Sequence, residues 1–271
     1  MKPFLKWVGG KTQHLEDILP LIDKGEIYYE LFLGGGAVMI ELLKRNAFEK
    51  MYANDINPQL INTYIQIQTN VEKLVEYLKA IESQYNSATN PETFYYTIRT
   101  EYNRYSSLDP LQASYFIFLN KVGFRGLYRV NRDGKFNVPF GHYKSPTLYE
   151  EENFRQLHQA FQRVVFSCGS FDALSIEKNA VVYLDPPYVP EAKNSFTAYS
   201  PDSFDHQGFF KYCQNLTNLR IRWIMSNSFS GQTRELLDTR NYRVIELRSR
   251  RRINSKTPQS TTQEVLVSWA P

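Results

Sequence analysis

Ile27-Tyr28-Tyr29-Glu30-Leu31-Phe32-Leu33-Gly34-Gly35-Gly36 runs from an apolar, strand-forming segment straight into three consecutive glycines. An apolar run of this length suits a buried strand, and glycines end it because they admit backbone angles that other residues avoid. Residues 37–45 then read as a helix, and Lys50-Met51-Tyr52-Ala53-Asn54-Asp55 as a second strand that ends on polar residues. Strand, glycine turn, helix and strand make a βαβ unit, which predicts a parallel sheet.

Further along, the period changes. Leu60, Ile61, Tyr64 and Ile65, then Leu74, Val75 and Leu78, recur at helical spacing, and Asn90-Pro91 and Asp109-Pro110 are helix starts. Three or four helices fit between Asn57 and about Asn120. Leu127-Tyr128-Arg129-Val130 and Lys135-Phe136-Asn137-Val138 flank Asn131-Arg132-Asp133-Gly134, a hairpin signal with Asp-Gly at the turn. Helices followed by a hairpin break the α/β alternation, so the stretch reads as an inserted subdomain. Strands resume at 163–166, 180–184, 222–225, 242–247 and 264–269, the last two paired antiparallel. The predicted fold is α/β: a doubly wound, mostly parallel seven-stranded sheet, with a catalytic domain over 1–56 and 146–271. The helical insertion with its β-hairpin occupies 57–145.

Bulk properties narrow the chemistry. The 271 residues are 42% hydrophobic, enough to bury a core, and no apolar run nears the ~18 residues that span a bilayer. The start, Met1-Lys2-Pro3-Phe4-Leu5-Lys6, lacks a signal peptide's apolar stretch, so a cytoplasmic location is expected. Two distant cysteines, Cys168 and Cys213, exclude a disulfide framework and a Cys-rich zinc site, and four scattered histidines predict no metal. The net charge of +4 says little, but its distribution says more. Lys121, Arg125, Arg129, Arg132, Lys135 and Lys144 form one basic segment, and Arg248, Arg250, Arg251, Arg252 and Lys256 another. Such concentrations suit phosphate contacts.

Three constellations carry chemistry. Asp185-Pro186-Pro187-Tyr188 follows the apolar strand Val181-Val182-Tyr183-Leu184, at the strand end where open α/β sheets bind ligands. An adenine amine is a poor nucleophile because its lone pair is delocalised into the ring. A carboxylate and a pre-aimed proline carbonyl can accept both amine hydrogens and free that pair, while Tyr188 stacks on the base. Second, Gly34-Gly35-Gly36 is followed nineteen residues later by Asp55, an acid suited to ribose hydroxyls. Met39 stands where a dinucleotide fingerprint needs its third glycine, so a nucleoside without a pyrophosphate fits better, and S-adenosylmethionine is one. Third, Gly10-Lys11-Thr12 matches the end of a P-loop, but Leu5 replaces the required glycine and no strand precedes it. Lys11 reads instead as a flexible, aromatic-flanked cation able to reach a carboxylate.

Together these residues resemble the DNA N6-adenine methyltransferase family of the Dam type, whose members read GATC. The resemblance spans essentially the whole chain, in the family's order: Lys6-Trp7-Val8-Gly9-Gly10-Lys11, Glu30-Leu31-Phe32-Leu33-Gly34-Gly35-Gly36, Asn54-Asp55-Ile56-Asn57, the helical insertion, and Asp185-Pro186-Pro187-Tyr188. Gly126-Leu127-Tyr128-Arg129-Val130-Asn131 and Phe136-Asn137-Val138-Pro139-Phe140-Gly141 are its most specific part. The resemblance implies a class I methyltransferase fold, S-adenosylmethionine as cofactor, and cofactor contacts from Trp7, Lys11, Gly34, Gly36, Asp55, Phe171 and Asp185. It implies Asp185, Pro186, Pro187 and Tyr188 as catalytic, and DNA contacts from Phe124, Arg125, Leu127, Arg129, Asn131, Pro139 and Lys144. Arg129 matches the arginine that reads guanine through O6 and N7, and Leu127 and Pro139 match apolar contacts to a thymine methyl. The chain departs from the family at Ser170, Arg125 and His142, where an acid, an asparagine and an arginine are common. The partner implied is duplex DNA with GATC sites, bound by a monomer or weak dimer without metal or membrane. The expected chemistry is in-line transfer to a flipped adenine without a covalent enzyme intermediate. Rival readings are an amino-methyltransferase for cytosine N4, RNA or a protein amide, in which Ser or Asn tends to replace Asp185, and a non-catalytic nucleic-acid-binding protein on the same fold.

Overall fold

The computed structural model describes residues 1–22, 24–189, 204–228, 233, 242–250 and 261–271. Arg251, Arg252 and Lys256 of the second basic segment, and the side chains of Arg248 and Arg250, lie outside that description. In chain order the described strands are β1 (Gly25–Glu30), β2 (Phe48–Asp55), β3 (Val164–Cys168), β4 (Ala180–Leu184), β5 (Arg222–Ser228), β6 (Arg243–Arg250) and β7 (Thr261–Trp269). The described α-helices are α1 (Leu15–Ile18), α2 (Ala37–Lys44), α3 (Pro58–Thr69), α4 (Val71–Ser87), α5 (Pro91–Arg104), α6 (Pro110–Val122), α7 (Glu151–Phe161) and α8 (His206–Asn218).

The strands form one mostly parallel, seven-stranded sheet in the order β3-β2-β1-β4-β5-β7-β6, the class I methyltransferase architecture expected. β4 lies parallel to β1 and to β5, whereas β7 runs antiparallel to β5 and β6. The order steps outward on one side from β1 and on the other from β4. Their carboxyl ends therefore flank the topological switch point, where such sheets bind ligands. β4 is buried along its whole length, which is why its five residues are uniformly apolar or aromatic. β1 ends at Glu30, three residues short of the expected end, because the chain turns into the glycines; Leu31 still donates its N–H to the Tyr183 carbonyl at 3.3 Å.

Two compact units divide the contacts. One comprises Met1–Leu15, Leu33–Ala47 and Ala53–Ser170, the other Glu16–Phe32, Phe48–Tyr52 and Phe171–Pro271. The first holds four helices, α3 to α6, where three or four were expected between Asn57 and about Asn120. Asn57, Asn90 and Asp109 cap three of them, each side chain accepting N–H groups of the first turn ahead of a proline. The expected hairpin is present as a narrow loop rather than as two regular strands. Asn131 N–H bonds the Lys135 carbonyl at 2.8 Å and Asn137 N–H the Arg129 carbonyl at 3.0 Å, with isolated bridges at Val130–Phe136 and Gly123–Phe140. The Val130–Phe136 bridge lies between these two bonds, and the outward-facing N–H and C=O of Phe136 are taken by the side chain of Asn103. Among the described residues, no helix is long and apolar enough to cross a membrane.

Candidate active site

In the first unit the glycine turn is closed by side-chain packing. Gly34 and Gly36 have φ of +48° and +65°, and a Cβ on Gly34 would lie 2.7 Å from Trp7 Nε1. A Cβ on Gly36 would meet the Tyr64 hydroxyl at 2.8 Å, and that hydroxyl donates to the Gly34 carbonyl. The glycines thus satisfy both a left-handed backbone and the close approach of two aromatic rings. Asp55, at the tip of β2, accepts the N–H of Gly34 at 2.9 Å through Oδ2 and that of Asn57 at 3.0 Å through Oδ1. Burial raises its carboxyl above the usual 3.8, against the pull of the N–H groups of Gly34, Asn57 and Ile56. Asn54 ties this tip to β3, donating to the Gly169 carbonyl and accepting from Ser167.

Lys11 differs from expectation. It is 5% exposed, and its ammonium donates to the Gly9 carbonyl at 2.6 Å. Gly9, at φ +76°, bends the chain so that the short helical turn at Lys11–His14 folds the lysine back on it. The cation is therefore placed rather than flexible. Ile56 was given no role by sequence reasoning. It directly follows Asp55 in the chain and is 76% exposed. Its only sequence signal was an apolar residue at a polar strand end.

The loop from Phe124 to Lys144 belongs to the same unit. Phe124 is 41% exposed, and Arg125, at φ +55°, holds its guanidinium 5.2 Å from the centre of that ring. Arg129 is exposed and bound twice to one residue: Nε donates to Asn137 Oδ1 at 2.7 Å and an Nη to the Asn137 carbonyl at 3.1 Å. Asn137 carried no expected role, because only the folded loop brings it alongside Arg129. Asn131 spends its Oδ1 on the N–H groups of Asp133 and Lys135, closing the turn. Leu127 is half-buried, while Pro139 and Lys144 are exposed. Lys121 departs from the expected phosphate-contacting row. It is half-buried, and desolvation together with nearby Lys6 lowers its pKa.

In the second unit, β4 delivers Asp185-Pro186-Pro187-Tyr188 at its carboxyl end. Asp185 Oδ1 accepts the Ser226 hydroxyl of β5 at 2.7 Å. The Tyr188 hydroxyl donates to Glu264 of β7 at 2.8 Å, and burial beside Asp185 and Glu264 raises its pKa well above 10. Asn227 and Ser228 grip the N–H and carbonyl of Val189, which fixes the exit of the motif. Phe171 packs into an aromatic cluster with Phe32, Phe204, Phe209 and Tyr212, at centroid distances of 5.3–5.8 Å.

Comparison with known proteins gives the family. The family model for D12 class N6 adenine-specific DNA methyltransferases matches residues 7–253. The type II methyltransferase M.MjaIII of Methanocaldococcus jannaschii is 37% identical over 246 residues, covering 85% of each chain. The DNA adenine methylases of Salmonella typhi and Escherichia coli K12 are each 35% identical over 277 aligned residues, covering all of this chain and 96% of theirs. The chain belongs to the D12 class of N6 adenine-specific DNA methyltransferases, and it is an enzyme that methylates DNA adenine.

Proposed function

We propose that the enzyme reads GATC in duplex DNA and turns the target adenine out of the helix before methylating it. The methyl donor is S-adenosylmethionine, which supplies an electrophilic sulfonium methyl when bound. The residues of the first unit suit that donor: the Asp55 carboxylate for a diol, the exposed Ile56 face for a base, and the placed Lys11 cation for a carboxylate. Trp7, Gly34 and Gly36 are further cofactor contacts proposed within that unit, and Phe171 is a cofactor contact proposed in the other.

Asp185 and the carbonyl of a following proline accept the two amine hydrogens of adenine. This draws the nitrogen toward a pyramidal geometry and frees its lone pair. Pro186 and Pro187 stiffen that carbonyl, and Tyr188 presents its ring to the base. An amine paired inside a duplex cannot adopt this geometry, so the base must leave the stack, at a cost of a few kcal/mol. Residues 57–145 serve as the recognition domain, with Phe124, Arg125, Asn131 and Lys144 on the DNA and Leu127 and Pro139 against a thymine methyl. Residues 1–56 and 146–271 carry catalysis.

The observation that carries the GATC reading is the Arg129 guanidinium held by Asn137. It is an exposed, oriented fork suited to O6 and N7 of guanine. The test is methyl transfer to duplexes with single substitutions in GATC, with 2-aminopurine at the target position reporting extrusion by fluorescence. Full activity on substituted sites would remove the sequence assignment, and unchanged fluorescence would remove the flipping step.

A further inference from the structure

Asp185 is not held by backbone alone. The Ser226 hydroxyl lies 2.7 Å from Asp185 Oδ1, and the Tyr183 hydroxyl lies 3.0 Å from the same serine oxygen. The parallel register explains the meeting: Tyr183 pairs with Ile224 and Leu184 with Met225, so the next step along brings Ser226 beside Asp185. Tyr183 and Ser226 are each 1% exposed.

The direction of these bonds follows from counting hydrogens. A serine hydroxyl has a single hydrogen, and an ionised carboxylate has none. Ser226 therefore donates to Asp185, which leaves Tyr183 as the donor to Ser226. Burial, reinforced by the charges of Asp185, Glu30 and Glu264, holds the Tyr183 phenol well above its ordinary pKa, so it keeps its hydrogen. Bonds aligned head to tail polarise one another, so the second strengthens the first.

We propose that Tyr183 and Ser226 form a one-way hydrogen-bond relay that aims the Asp185 carboxylate at the target amine. Both are positioning residues, Ser226 acting directly on Asp185 and Tyr183 at one remove. The inference rests on the reading that Asp185 accepts an amine hydrogen. A carboxylate released from this relay turns about χ2, and misplacement of about 1 Å can cost on the order of 100-fold in rate.

The test is single-turnover methyl transfer to a GATC duplex by Ser226→Ala, Tyr183→Phe, the double variant and Asp185→Asn, with dissociation constants for S-adenosylmethionine and DNA measured beside it. Ser226→Ala is expected to slow transfer roughly 10- to 100-fold while both dissociation constants stay within about twofold. Tyr183→Phe, which keeps the buried ring, should slow it several-fold alone and add nothing in the Ser226→Ala background. Wild-type rates in either single variant, binding losses that parallel the rate losses, or full additivity in the double variant would each overturn the relay. If Ser226→Ala fails to fold, Tyr183→Phe decides alone. Normal turnover by Asp185→Asn would instead remove the role of Asp185 itself, whereas an inactive Asp185→Asn beside a fully active Ser226→Ala would remove only the relay.

Discussion

Trp7 and Tyr128 stack with ring centroids 5.9 Å apart and planes 24° from parallel. The same indole covers Gly34 and Gly35, so one residue near the N-terminus is packed against the glycine turn and against the recognition loop. Phe116 of α6 completes the stack at 6.4 Å from Trp7. The glycine turn and the base of the loop that carries Arg129 thus share a side chain.

Truncating the stack should be costly. Tyr128→Ala removes a half-buried ring and an aromatic pair, and is expected to lower stability by about 2–4 kcal/mol. Tyr128→Phe keeps the ring and should cost about 1 kcal/mol for the lost hydrogen bond between its hydroxyl and the Asn57 side chain. Urea denaturation of the two variants distinguishes ring packing from hydroxyl bonding. Equal losses would deny the stack its weight.

Two glycines with positive φ should behave differently. Gly34→Ala meets both a left-handed backbone, worth about 1–2 kcal/mol, and a Trp7 atom at 2.7 Å. Gly134→Ala meets the backbone cost alone, since nothing lies within 4 Å of the added methyl. Calorimetric titration should show weaker S-adenosylmethionine binding only for Gly34→Ala. Equal binding by both variants would separate Trp7 from the cofactor pocket.

Arg129→Ala should relax discrimination at the guanine by about 1–3 kcal/mol. Asn137→Ala leaves the guanidinium in place but takes away the side-chain half of its cradle. It should shift preference in the same direction by less. Comparing kcat/KM on GATC and on guanine-substituted duplexes checks both, and unchanged preference in Arg129→Ala would exclude it as the reader.

Asp55 sets a pH dependence. Its carboxyl titrates above 3.8 because burial disfavours the charge. The folded state holds this proton more tightly than the unfolded chain does, so the stability associated with Asp55 is present below about 3.8 and is lost as pH rises through the higher folded value. Binding has the opposite sign, since only the ionised group offers both oxygens to a ribose. S-adenosylmethionine affinity should therefore fall on acidification, beginning above the ordinary carboxylate range, and Asp55→Asn should bind weakly with little pH dependence. Affinity measured from pH 4 to pH 7 in both proteins would sink the assignment if the two profiles coincided.

Much of the fold was legible before any coordinates. β4 appeared at its observed bounds because an apolar run of five residues with a turn motif behind it has few other uses. Asn90-Pro91 and Asp109-Pro110 marked true helix starts because capping depends on neighbours three residues apart. The helices α7 and α8 were not anticipated. The hairpin was overstated as two strands: only isolated bridges form there, and Asn103, far from it in sequence, takes the outward-facing backbone groups of Phe136.

The site divides along the same line. Motif chemistry, the glycine turn with Asp55 and the proline-flanked Asp185, lies in residue types and short spacings, and the family resemblance that these motifs carry implied the class of enzyme without a structure. Lys11 as a buried, tethered cation, Asn137 cradling Arg129, and Ser226 meeting Asp185 across 41 residues were decided only by tertiary structure. Propensity, capping and turn chemistry act within about four residues along the chain. Which distant side chain satisfies a buried polar group depends on strand order and register, and these emerge only when the whole sheet has assembled.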